Sequence, residues 1–309
     1  MDNSPYKSDY VYVNGIRLHH LDWGGKGNVL LFLAGMGCSA HIFDKFAPRF
    51  TNNFHVVALD RRGHGDSDYP DTGYDPDTLT EDLRLFLDAL KIDKVILAGH
   101  SLAYIELSRF AILHPERTLK LVFLDAAYDS SSAEYKVVLG KNPMPKMMPA
   151  WPEDALVAVE DYIDTVKRLI PSLAVIWGDV MEEQTKHTVK TTPDGKVMDK
   201  MSEAEFKAIR NTVDSYVPEY SKIRVPTLSF FADQNGSAFL SSEYMTEEQK
   251  ALVMDYFKTV RQPYTRQYIE QFKQNVPTAE VVEIPNGHHY CFIQHEELVY
   301  EKMWKFLAA

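Results

Sequence analysis

Residues 95–103 read VILAGHSLA, an apolar strand that meets a helix-forming stretch with almost no loop between them. So abrupt a junction requires helices that lie on the faces of a sheet. The rest of the chain repeats the pattern. VLLFLA (29–34), HVVALD (55–60) and LKLVFLD (119–125) are short continuous apolar runs, the signature of strands buried on both faces. Between them, TLTEDLRLFLDAL (78–90) sets Leu79, Leu83, Phe86, Leu87 and Leu90 along one helical face, with Thr78 or Thr80 as its cap. A second helix is expected over roughly 102–113, before His114-Pro115. This order predicts an α/β fold with a mostly parallel central sheet flanked by helices. At the start, YVYVNGIRLHHLDW (10–23) alternates around Asn14-Gly15, a dipeptide suited to a tight hairpin turn.

The rhythm breaks between about 130 and 222. This stretch contains NPMPKMMPAWPED, predicted helices near 153–169 and 203–215, and a turn at Pro193-Asp194-Gly195; Ser202 with Glu205 fits a capping box. Alternation resumes at VPTLSFFAD (225–233), followed by a helical elaboration over 238–274, the strand TAEVVEIP, and the amphipathic helix EELVYEKMWKFL. We read 1–129 and 223–309 as the core and 130–222 as an inserted helical lid.

Composition narrows the function classes. With 44 acidic against 33 basic residues the formal charge is −11, which argues against a surface for nucleic acid or an anionic membrane. The opening residues, MDNSPYKSDY, hold no apolar signal-peptide core, and Val29–Ala34 is far too short to span a bilayer. Two cysteines, Cys38 and Cys291, suit a reducing cytoplasm, although one bridge between them is compatible with the sequence. His19-His20 and His288-His289 lack a third ligand at informative spacing, and no glycine-rich phosphate loop occurs, so neither a metal nor a cofactor is expected. The chain is expected as a monomer or homodimer.

Chemistry centres on Gly99-His100-Ser101-Leu102-Ala103. A strand turning sharply into a helix lifts its central side chain above the sheet, and the helix start offers amide donors to developing negative charge. Ser101 is therefore the expected nucleophile. Leu102 N–H is one expected oxyanion donor, and Met36 N–H, in the loop Ala34-Gly35-Met36, is the other.

Together LAG before Met36, DRRGHGDS (60–67), GHSLA (99–103) and IPNGHHYCF (284–292) resemble the α/β-hydrolase superfamily over most of the chain. Two positions depart from that pattern: Ala34 where a histidine is common, and Ala103 for the second glycine. In the resemblance, Asp60 with Arg61, Gly63 and Gly65 fixes a loop, and the base follows an I-P-x-x-x pattern. Counting from Ile284-Pro285, or back from Phe306-Leu307, selects His289; its neighbour His288 is the alternative. The acid is open among three positions. Asp125 ends LVFLD, Asp233 lies near the position that many relatives use, and Asn235 occupies that position as a neutral amide. We place the acid at Asp125, with Asp233 as the alternative.

The resemblance implies an enzyme that cleaves a small to medium apolar carboxylic ester or lactone through an acyl-enzyme. His41, Trp151, Trp177, Met147 and Met148 are expected to line its pocket. Cofactor-free carbon–carbon bond hydrolysis or oxygenation on the same fold is one alternative, and a non-enzymatic small-ligand receptor is another. Haloalkane dehalogenases and epoxide hydrolases fit less well, because their nucleophile is an aspartate.

Overall fold

The computed structural model describes residues 5–152 and 156–309. Eight strands form one sheet: β1 Lys7–Val13, β2 Ile16–Gly25, β3 Val29–Leu33, β4 His55–Leu59, β5 Val95–His100, β6 Thr118–Leu124, β9 Thr227–Asp233 and β10 Ala279–Pro285. Their order is β1-β2-β4-β3-β5-β6-β9-β10. The first hairpin turns at Asn14 (φ 50°) and Gly15 (φ 80°), both left-handed as an Asn-Gly hairpin turn requires. Strand β1 runs antiparallel to β2, and β2 antiparallel to β4; every later pair is parallel.

The apolar runs are continuous because the central strands bury both faces. Leu31 and Leu33 of β3 join Leu97, Leu121 and Phe123 beneath helices Pro76–Ala89 and Tyr104–Leu113. Leu30 and Phe32 face the other way, with Ile96, Ala98, Val122 and Leu124, under Val299, Met303 and Phe306 of the last helix, Glu296–Ala308.

Helix Pro76–Ala89 is capped by Asp75 rather than by Thr78 or Thr80. The Asp75 carboxylate accepts from Thr78 N at 3.0 Å and from Thr78 Oγ1 at 2.7 Å, and Pro76 occupies the first turn. Proline at that point lacks only a donor that the helix cannot use, so it marks the start better than either threonine. Asp75→Ala should lower stability by about 1 kcal/mol, read as an earlier urea midpoint with unchanged slope. An unchanged midpoint would remove the cap from the account.

Between β6 and β9 lie helices Ala133–Gly140, Val159–Leu169, Asp179–Lys186 and Glu203–Ser215. The first residues of the helix expected near 153 fall outside the described ones. This insert is not wholly helical: β7 Val189–Thr191 and β8 Val197–Asp199 pair antiparallel around the expected Pro193-Asp194-Gly195 turn. Ser202 and Glu205 form a reciprocal cap, with Ser202 N donating to Glu205 Oε2 and Glu205 N donating to Ser202 Oγ. The insert is tied to the core at Asp66, which accepts from Lys200 Nζ and pairs with His187 Nδ1, each at 2.5 Å.

The elaboration after β9 is a long helical run, Glu247–Tyr256 and Gln262–Asn275, joined through a π-helical turn at Phe257–Arg261. Pro263 explains the wide turn. Its nitrogen cannot donate to the carbonyl four residues back, so the ladder loosens just ahead of it. Among the described residues, no helix is long and apolar enough to cross a membrane.

Candidate active site

Strand β5 ends at His100, and Ser101 follows in the left-handed region at φ 53°. The chain enters the helical turn Ser101–Ala103 and then helix Tyr104–Leu113. A serine tolerates this φ poorly, so the turn is held by the strand and helix on either side. Two glycines make room for it. A Cβ at Gly99 would lie 2.6 Å from the Ala103 Cβ, so the bare backbone at 99 accommodates the extra methyl at 103. A Cβ at Gly35 would lie 2.8 Å from His100 Nδ1 and 3.1 Å from the Ser101 Cβ, so this loop can press against the serine only without a side chain.

Asp125 and His289 meet beside that turn. His289 Nδ1 is 2.7 Å from Asp125 Oδ2, and Asp125 is 2% exposed. Asp125 also sits at positive φ, 49°, directly after the end of β6. Its Oδ1 accepts from Ala232 N at 2.8 Å and from the Tyr128 hydroxyl at 3.1 Å. Three donors therefore converge on one buried carboxylate. An ionised acid in this position accepts a proton-bearing Nδ1, leaving Nε2 of His289 as the basic nitrogen.

Ser101, His289, Asp125, Met36 and Leu102 line one cavity of about 220 Å³. Leu102 lies in the first turn after the strand, where backbone N–H groups lack intrahelical acceptors. A nucleophile-bearing turn, a carboxylate-oriented imidazole and amides at a helix start can together attack a carbonyl and hold the oxyanion that results.

The alternative positions are occupied differently. Asp233 is bound by Arg266, with Nη2 at 2.9 Å and Nε at 3.1 Å from Oδ2. Asn235 is half-buried and closes its own turn, accepting from Ser237 N and Oγ. His288 uses both ring nitrogens on backbone: Tyr290 N donates to Nδ1 at 3.1 Å, and Nε2 donates to Ser172 O at 2.7 Å. Sequence reasoning gave His100 no role. Its Nε2 donates to the His289 carbonyl at 3.1 Å, which ties the loop carrying the imidazole to the serine strand.

Burial pushes the His288 imidazole down to about 4. In the unfolded chain a histidine titrates near 6.5, so below that pH the unfolded state binds the extra proton first. Stability should therefore fall as pH drops from about 6.5 to about 4, and this contribution should saturate below. Urea unfolding of the wild type and His288→Gln across that range checks the sign; identical pH slopes would refute the assignment.

Trp151 and Trp177 line a neighbouring cavity of about 300 Å³ that also contains Met36, Cys38 and Tyr162. It abuts the serine cavity at Met36, and a larger one of about 750 Å³ beside the β7–β8 hairpin at Trp151 and Gly37. The 750 Å³ space contains neither Ser101 nor His289, so volume alone does not mark the chemistry.

Three residues expected at the pocket lie elsewhere. Met147 packs against the cluster of Val138, Met245 and Phe257, and Met148 is exposed. His41 is buried, bonded to Asp44 Oδ2 at 2.9 Å and stacked on His187 with ring centroids 3.8 Å apart. The Asp44 carboxylate and the His187 ring hold this imidazole in a buried cluster.

The thiols are both free and buried; burial pushes Cys38 up to about 11. Asp60 is a structural hub, accepting from Ala40 N at 2.6 Å and Asp66 N at 3.1 Å and pairing with His19 Nδ1 at 2.7 Å. Two side-chain groups, His41-Asp66-His187 and His19-Asp60-Asp66, hold potential ligand atoms within 4.8 Å of one another. Burial opposes ionisation of Asp66, but its bonds to His187 and Lys200 hold the carboxyl below its ordinary value. The cation already serving that group is the Lys200 ammonium.

Over 316 aligned residues the chain is 24% identical to epoxide hydrolase 4 of Mus musculus, covering 95% of this chain and 82% of that protein. It is 39% identical over 103 residues to N-formylmaleamate deformylase of Pseudomonas putida, covering 33% of this chain and 37% of that protein. The crystal structure of E-2-(acetamidomethylene)succinate hydrolase shares the fold with a TM-score of 0.73 at 20% identity, covering 98% of this chain and all of that one. Residues 30–302 match the family described as the alpha/beta hydrolase family, and on that extent the chain belongs to it.

Proposed function

We propose that this hydrolase cleaves a carboxylic ester or lactone of a small molecule, with Ser101 as nucleophile, His289 as base and Asp125 as the acid that orients it. The observation that carries the reading is the 2.7 Å contact between His289 Nδ1 and Asp125 in the same cavity as the strained Ser101 turn. His289 Nε2 takes the Ser101 proton as Oγ bonds to the carbonyl carbon, and the carbonyl electrons move onto oxygen. Met36 and Leu102 amides hold that oxyanion. Collapse expels the alkoxide, which receives the proton from His289. Water then repeats the sequence on the acyl-enzyme, releasing the acid and restoring Ser101.

Residues 130–222 act as a lid in this reading, and Trp151 and Trp177 supply an apolar wall beside Met36. Several of the relatives it resembles are named as epoxide hydrolases. The residue at the strand–helix turn here is a serine, which favours acyl chemistry over opening of an epoxide by a carboxylate. The test is a fluorophosphonate adduct mapped to Ser101, with product analysis on an ester, a lactone, an epoxide and a diketone. Turnover of ester or lactone with a Ser101 adduct is expected. Epoxide or diketone turnover without an adduct would overturn the reading.

A further inference from the structure

Arg261 lines the serine cavity, and among the described residues no carboxylate forms a salt bridge with it. Its guanidinium carbon sits 5.6 Å from the Tyr128 ring centroid and 5.5 Å from that of Tyr135, and its Nη1 is shielded from solvent without a hydrogen-bond partner. The nearby acid is already committed: Asp125 accepts from His289, Ala232 and Tyr128. Arg210, the other cation lining the cavity, is neutralised by Asp214 at 3.0 Å. Arg261 is also placed by an irregularity. It ends the π-helical turn Phe257–Arg261 just before Pro263, and such turns re-aim a side chain that a regular helix would direct elsewhere.

A guanidinium held between aromatic faces still presents a planar N–H fork, whose geometry matches a carboxylate. We infer that Arg261 recognises a carboxylate on the substrate, so that the ester or lactone hydrolysed here is an anionic one. This rests on the serine-hydrolase reading and specifies its substrate class. Arg261 acts in selectivity and takes no part in bond making.

The experiment compares kcat/KM for two anionic esters, mono-4-nitrophenyl glutarate and 4-(butanoyloxy)benzoate, with their neutral counterparts, 4-nitrophenyl pentanoate and methyl 4-(butanoyloxy)benzoate. At least one anionic ester should be preferred by roughly 10- to 100-fold, the range of a charge-assisted hydrogen bond. Arg261→Gln should erase that preference mainly through KM, and Arg261→Lys should retain part of it. Equal use of both members of each pair by the wild type overturns the inference without any variant. A uniform loss on all four esters in a folded Arg261→Gln also overturns it, because that result assigns Arg261 to the support of Asp125. Fluorophosphonate labelling of Ser101 reads the serine chemistry separately. Labelling without anion preference sinks only the Arg261 assignment. If labelling fails, calorimetric titration of the wild type with glutarate and with glutaramide still reads the Arg261 site, and equal affinities sink it.

Discussion

Ser101→Ala should lower ester hydrolysis by roughly 10⁴- to 10⁶-fold, the scale seen when a nucleophile of this kind is removed, while the protein stays folded. The hydroxyl supplies the bond-forming oxygen, so binding and oxyanion donors alone remain. Stability should change little, because alanine and serine meet the same penalty at φ 53°. Glycine escapes that penalty. Ser101→Gly should therefore be as inactive as the alanine variant yet more stable than the wild type by about 1 kcal/mol. That pairing of lost turnover with gained stability marks a turn strained for chemistry. Steady-state kinetics with mono-4-nitrophenyl glutarate and urea unfolding of all three proteins measure both sides. Hydrolysis by the alanine variant above one-tenth of wild type would end the nucleophile assignment.

The fold was readable because buried parallel strands and their helices leave long, regular patterns. Five consecutive apolar residues at Val29–Leu33 can only be a strand or a short buried helix segment, and the Gly-rich flank decides between them. The Asn14-Gly15 turn and the Ser202–Glu205 cap are local devices, so a few residues suffice to see them. The β7–β8 hairpin has three-residue strands, too short for any period to register.

The site was legible in part. Ser101 announces itself through the strand–turn–helix around it, and His289 through its distance from fixed landmarks. Arg261 gave no comparable sign. Its position in the cavity depends on a helix loosened by Pro263 and on the fit of Tyr128 and Tyr135 around it, which are tertiary facts. The acid was ambiguous because β6 and β9 are neighbours, so both Asp125 and Asp233 end strands on the same edge of the sheet. Nothing local shows that one carboxylate will turn inward while the other meets Arg266.

That ambiguity supplies the sharpest comparison. Asp125→Asn should reduce kcat by roughly 10⁴-fold, as when the orienting acid of such a triad is made neutral. An amide can present its NH₂ to His289 Nδ1 only if that nitrogen carries no proton, which moves the proton to Nε2 and removes the base. If the amide turns its oxygen to His289 instead, the NH₂ group faces Ala232 N and loses the 2.8 Å bond that anchors the side chain. The first orientation removes the base and the second loosens the group that orients it, so both lower kcat, the first by more. Asp233→Asn disturbs the Arg266 pair, in which the arginine side chain is 63% exposed, and such pairs contribute little. Its kcat should stay within a few-fold of wild type. Both variants should be compared by single-turnover kinetics and circular dichroism, so that a folding defect is separated from a chemical one. A greater kcat loss in folded Asp233→Asn than in Asp125→Asn would move the acid to the neighbouring strand and detach His289 from the arrangement proposed for it.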